Sequence, residues 1–136
     1  MPPRGIRSAV HLIRDIDELF DRHFGAVGSG PAVWEPPIDL YLEEGRVCLM
    51  VELPGVKASD IHIRVGRRVV LVSGIRRGRA RSPRFYESEI PYGRFERRVE
   101  LPVSVNPASF SVGLGDGILT LDFEQAGDQV RVIRVE

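Results

Sequence analysis

Cysteine is almost missing from this 136-residue chain: Cys48 stands alone, so no disulfide can form within it, and a reducing cytoplasm is the expected setting. Lysine is scarcer than its charge class suggests, because all the cations but Lys57 are arginine, a bias that favours planar, multidentate ion pairs. No apolar run approaches the roughly 20 residues that a membrane span needs. The amino-terminal stretch carries Asp15, Asp17 and Glu18 inside its apolar pattern, unlike a secretory signal. The net charge is zero, which excludes a globally basic nucleic-acid binder. Histidine is sparse as well. His11, His23 and His62 have no Cys, Asp or Glu at a metal-ligand spacing, and a single cysteine builds no zinc site. No Gly-x-Ser-x-Gly elbow and no phosphate-cradling loop ahead of a helix are present. Carboxylate neighbours such as Glu43 and Glu44 would point to opposite faces of a strand. No catalytic constellation, cofactor site or metal site is expected, and the chain does not read as an enzyme.

What is there begins with a change of period. Residues 6–24 follow a helical repeat, with Ile6, Val10, Leu12, Ile13, Ile16, Phe20 and Phe24 on one half of the wheel. Gly25 is a plausible stop, and 25–33 read as a flexible linker, so residues 1–33 form an arm. Beyond it the period becomes two. IDLYLE (38–43), GRVCLMVEL (45–53), DIHIRV (60–65), VVLVS (69–73), RFERRVEL (94–101), FSVGL (110–114) and ILTLDF (118–123) are strand candidates. Turn signals separate them, including Glu44-Gly45, Pro54-Gly55, Asn106-Pro107 and Asp116-Gly117. Short strands at this spacing, without a helical pattern between them, indicate an all-β, immunoglobulin-like antiparallel β-sandwich. Val47, Leu49, Val51 and Leu53 share one face of their strand; Cys48 and Met50 partly fill the other, so the strand is expected to be covered on both sides, or nearly so. His62, between Ile61 and Ile63, is expected on the solvent side. The run Gly113 to Gly117 is a hairpin turn between β-type segments.

One stretch breaks the rhythm. GIRRGRARSPRFYESEIPYG (74–93) is too long for a hairpin turn, and within it RFYESEI (84–90) has the character of a short strand of its own. Such a strand is an exposed edge that pairing with another subunit would manage. The loop is also basic: from Ile61 to Tyr86 there are eight arginines and no acid. RNA contact would want aromatics interleaved as stacking platforms, and only Phe85 and Tyr86 follow the arginine run. A basic loop for dimer contact is therefore preferred, with a solvated loop as the plainer reading.

The carboxy-terminal segment VRVIRVE (130–136) gathers Val130, Val132, Ile133 and Val135. On its residues alone it is a last sandwich strand, or a sticky extension for another subunit. A single regular strand would send the neighbours Val132 and Ile133 to opposite faces, so one pair docks: Ile133 with Val135, or Val130 with Val132.

Taken together, these pieces resemble a known family. WEPPIDLYLEEGRVCLMVELPGV (34–56) is similar to the opening of the α-crystallin domain of bacterial small heat-shock proteins, through Trp34, Pro36, Pro37, Asp39 and Leu53 to Val56. YESEIPYGRFERRVELP (86–102) resembles the family signature at Glu89, Gly93, Phe95, Arg97, Leu101 and Pro102, with Ile90 where that signature carries Arg. GDGILTLDF (115–123) is similar to its Asn-Gly-Val-Leu-Thr hairpin. The resemblance implies an α-crystallin domain over 34–125, with a long exchange loop at 74–93, and a carboxy-terminal extension at 126–136.

It also implies a function: ATP-independent holding of unfolding proteins. The implied partners are the chain itself and unfolding client proteins, with neither membrane nor nucleic acid expected. The homodimer would exchange the loop strand through Arg84, Phe85, Tyr86, Glu87 and Glu89, with Arg97 as a dimer or structural arginine. Higher assembly would follow from tail docking by Ile133 and Val135. Burying two such anchors yields about 1.5–3 kcal/mol each, while fixing a tail residue costs about 1–2 kcal/mol. One tail contact should therefore be weak and exchangeable, with several holding together through effective concentration. The apolar face of the arm (Ile6, Val10, Leu12, Ile13, Ile16, Phe20, Phe24) would pack at rest or meet clients. An adaptor module on the same sandwich, binding one folded partner, is the alternative class; an arginine-loop RNA binder is the third.

Overall fold

The computed structural model describes residues 11–14, 34–78, 81 and 83–126, the first four by their backbone. Eight strands lie among them: β1 (His11–Arg14), β2 (Ile38–Glu43), β3 (Arg46–Glu52), β4 (Ile61–Val65), β5 (Val69–Arg76), β6 (Gly93–Glu100), β7 (Ser111–Gly115) and β8 (Ile118–Glu124). They form two sheets, ordered β1-β4-β5-β6 and β2-β3-β8-β7. Every pairing is antiparallel except β1 with β4.

Two hairpins set the register of the second sheet. Glu44-Gly45 and Asp116-Gly117 are the two-residue loops between paired Glu43↔Arg46 and Gly115↔Ile118. All four central residues have positive φ (50°, 75°, 53° and 77°), the backbone that matches the right-handed twist of the strands it joins. The second hairpin is seated on the body: Leu53 donates its N–H to the Gly117 carbonyl at 2.7 Å.

The core is what period two dictates. Val47, Leu49 and Val51 of β3 and Leu119, Leu121 and Phe123 of β8 meet Ile61, Ile63 and Val65 of β4, Val70 and Val72 of β5, and Phe95 and Val99 of β6. Phe110 closes one end against Phe123, with ring centroids 5.4 Å apart. Each such side chain contributes about 1.5–3 kcal/mol of transfer free energy. The outer face of β3 is partly covered: Cys48 and Met50 are half-buried, Cys48 opposite Asp122 in register and Met50 Sδ accepting from the Tyr41 hydroxyl. His62 is exposed, as its alternation with Ile61 and Ile63 predicts.

Two expectations change. Of the helix expected over 6–24, only His11–Arg14 is described, and there the backbone is a strand. The physical reason is long-range: β4 would otherwise present a row of unpaired N–H and C=O groups, and Leu12-Ile13 is compatible with either period. Ile6, Val10, Ile16, Phe20 and Phe24 lie outside the described residues, as do the linker 25–33 and the tail residues Val130, Val132, Ile133 and Val135. The segment 84–90 has no ladder partner among the described residues, so its pairing with another subunit stays a matter for the assembly. The long loop is also shorter than 74–93, since β5 runs on to Arg76 and β6 starts at Gly93.

Candidate interaction site

The site is the loop 77–92, its root, and the sheet edge beside it. The root is built on Arg76. In β5 the inward positions are Val70, Val72, Gly74 and Arg76, and the last puts a guanidinium where a core residue would be. Arg76 is 6% exposed. Its Nε donates to the Pro54 carbonyl and its Nη1 to the Pro91 carbonyl, both at 2.9 Å. Its guanidinium lies 4.2 Å from the Trp34 ring centroid, within cation–π range. Trp34 donates its indole N–H to the Gly93 carbonyl at 3.3 Å and packs on Phe95 with centroids 5.2 Å apart. One buried cation thus ties the end of β3, the end of the loop and the entry strand together.

A second tie holds the start of the loop. Arg77 donates to both carboxylate oxygens of Asp60 at 3.0 Å. Those hydrogen bonds hold the Asp60 carboxyl below its usual value and push Arg77 up. Gly74 makes the close approach possible: a Cβ there would overlap the Asp60 carbonyl oxygen and sit 2.7 Å from Phe95 Cζ.

Between these ties the loop is open. Arg84, Phe85, Tyr86, Glu87, Glu89 and Ile90 are all exposed. Phe85 at 59%, Ile90 at 61% and Tyr86 at full exposure present apolar surface that the described residues do not bury. Among the described residues Arg84, Glu87 and Glu89 find no ion-pair partner. The sequence-predicted loop residues are therefore brought together on one segment, but Arg97 is not with them. It points inward from β6, between Phe95 and Val99, and pairs with Glu35 at 3.5 Å across the open side of the sandwich.

That open side is bordered by β6 and β2, which Trp34 links through its bridge to Phe95. β2 is an edge strand whose core-side residues become less covered along its length: Ile38 and Leu40 are half-buried, and Leu42 is 59% exposed. On the outer face, burial, with the nearby Asp122 charge, raises the Cys48 thiol above its usual value.

The Arg76 clasp and the Asp60–Arg77 pair were not singled out from the sequence. The signal was present, since VVLVSGIRR (69–77) keeps its alternation through Gly74 to Arg76. An arginine in an inward position flags a buried, multiply bonded cation.

Comparisons place this architecture among known proteins. Residues 39–136 match the model of the Hsp20/alpha crystallin family. The 23.2 kDa heat shock protein of Oryza sativa subsp. japonica is 32% identical over 147 aligned positions, covering 99% of this chain and 66% of that longer protein. A small heat-shock protein from Xylella fastidiosa, whose crystal structure is described as revealing a distinct high order structure, superposes with a TM-score of 0.64 at 28% identity, over 77% of this chain and 99% of that one. HSP18.5 from E. histolytica gives a TM-score of 0.63 at 27% identity, over 76% and 98%. Among the described residues no helix is long and apolar enough to cross a membrane.

Proposed function

The chain belongs to the Hsp20/alpha crystallin family, and from that membership we propose that it is a molecular chaperone that holds partly unfolded proteins without ATP and keeps them from aggregating under stress. The family match across 39–136 carries this reading. The reading expects no enzymatic role and a cytoplasmic setting, the latter from the lone Cys48. It is tested by mixing the full chain with a heat-labile enzyme and following light scattering without nucleotide. Suppressed scattering at a few-fold excess is expected; unaltered aggregation of the enzyme would overturn it.

The working form is an assembly of copies. The loop segment Arg84 to Glu89 serves as the exchanged strand. Its exposed Phe85 and Tyr86, and the exposed charges of Arg84, Glu87 and Glu89, support that role. The acceptor is the edge of β2, supported by its uncovered Leu42 and its terminal place in the sheet. Arg97 acts within the subunit, a role its pairing with Glu35 supports. Assembly beyond the dimer runs through Ile133 and Val135 of the tail, and the high order structure described for the Xylella fastidiosa relative is in keeping with it. Ile133→Ala with Val135→Ala is expected to shrink the assembly and leave a folded dimer. Loss of the β circular dichroism signal instead would make the tail a sandwich strand.

A further inference from the structure

The parallel ladder between β1 and β4 does more than fill an edge. Its register places His11 beside His62, two of the chain's three histidines, which stand far apart in the sequence. Register partners on neighbouring strands share a face of the sheet, and such strands lie about 4.8 Å apart. The row continues through Ser73 of β5 to Glu96 of β6, so two histidines, a serine and a glutamate stand in line across the sheet. His62 is on the solvent side of β4 and exposed. Asp60 is close enough to His62 for their charges to interact, and both of its carboxylate oxygens accept from Arg77.

Spacing along the chain offers no metal-ligand set, but strand pairing does. Zinc holds imidazole nitrogens at about 2.0–2.1 Å, so two nitrogens on one ion lie within about 4 Å of each other. Neighbouring strands allow that separation. Imidazole suits zinc, nickel and copper, whereas magnesium and calcium take oxygen ligands. We propose that His11 and His62 form a site for a divalent late first-row transition-metal ion, typified by zinc, at the β1–β4 edge. Water completes the coordination, because the Asp60 oxygens are engaged by Arg77 and Glu96 stands two strands away from His62. Arg64, two positions on along the same face, repels a cation, and the bonds to nitrogen have to outweigh that repulsion. The consequence is a staple. β1 is four residues long and pairs in parallel, the slightly weaker form of ladder, and a shared ion fastens it to the body. An ion that binds only the folded chain also adds to its stability.

The test uses the full untagged chain and Zn2+ alone, titrated in a calorimeter. One Zn2+ per chain is expected. His11→Gln and His62→Gln, each checked for the wild-type β circular dichroism signal, should each abolish that binding; His62→Asn serves where glutamine disturbs the strand. His23→Gln and Cys48→Ser should retain it, since neither residue belongs to the pair. Zinc should slow hydrogen exchange at 61–65 in the wild type and leave it unchanged in His11→Gln. Zinc binding unaltered by His11→Gln, its loss through His23→Gln or Cys48→Ser, or no binding at all overturns the inference. One Zn2+ per two chains with faster sedimentation also overturns it, by placing the ion between copies.

Discussion

The sandwich and its loop use similar apolar residues to opposite ends. In β5 and β6, Val70, Val72, Phe95 and Val99 are buried because each has a facing sheet to meet. Sixteen residues of loop separate those strands, and there Phe85, Tyr86 and Ile90 are exposed, uncovered by any of the described residues. The difference lies in the supply of partners. Hydrophobic burial needs a second surface, and among the described residues the loop meets none. The body's apolar residues are covered by its own strands, whereas those of the loop stay in contact with solvent. The root residues Arg76 and Arg77 mark the boundary, fixing both ends of the loop while leaving its middle open.

That contrast can be broken at several points. The largest effect is expected inside the body. Gly74→Val should destabilise by about 3 kcal/mol or more, since the added carbons overlap the Asp60 carbonyl and Phe95. Urea unfolding within about 1 kcal/mol of wild type would show that this approach is not tight. At the boundary, Arg76→Met leaves the Pro54 and Pro91 carbonyls without their donor and should cost about 1–3 kcal/mol. Faster hydrogen exchange confined to residues near 92–95 is the expected signature; unchanged exchange there would deny Arg76 its role at the root.

Asp60 gives a pH test of the second tie. Its folded carboxyl titrates below the ordinary value because Arg77 hydrogen-bonds its charged form. Its contribution is therefore present above the unfolded value of about 3.9 and is lost as pH falls through the lower folded value. The urea midpoint of Asp60→Asn should lie below wild type at pH 7, and the gap should close in strong acid. A gap that persists there would deny the pair its part. The smallest effect on the fold is expected in the loop itself. Phe85→Ser with Tyr86→Ser should change unfolding by less than about 0.5 kcal/mol per subunit while weakening self-association. Sedimentation at falling concentration checks this, and a dimer as tight as wild type would mean the loop is not its contact.

Most of the body was legible in the sequence, because alternation and turn chemistry are local. The seven strands from Ile38 to Glu124 follow the period-two runs to within a few residues, and both two-residue turns fall where Glu44-Gly45 and Asp116-Gly117 stand. The misreading of the arm has a long-range cause. His11–Arg14 is a strand because β4 has an edge to fill, a fact that does not reside in those four residues. Of the candidate site, the exposed loop was legible and its root was not. Arg76 reads as one more charge in an arginine-rich run until its inward position in β5 is seen.

Trp34 is the chain's single tryptophan, and its indole meets both the Arg76 guanidinium and the Phe95 ring, with its N–H on the Gly93 carbonyl. The protein therefore carries its own optical reporter at the hinge of the loop, with no second emitter of that type to blur it. A change in emission wavelength or quenching on warming, on dilution or on meeting an unfolding protein would register movement at one known place. Subunit exchange could then be followed in real time with the unlabelled molecule.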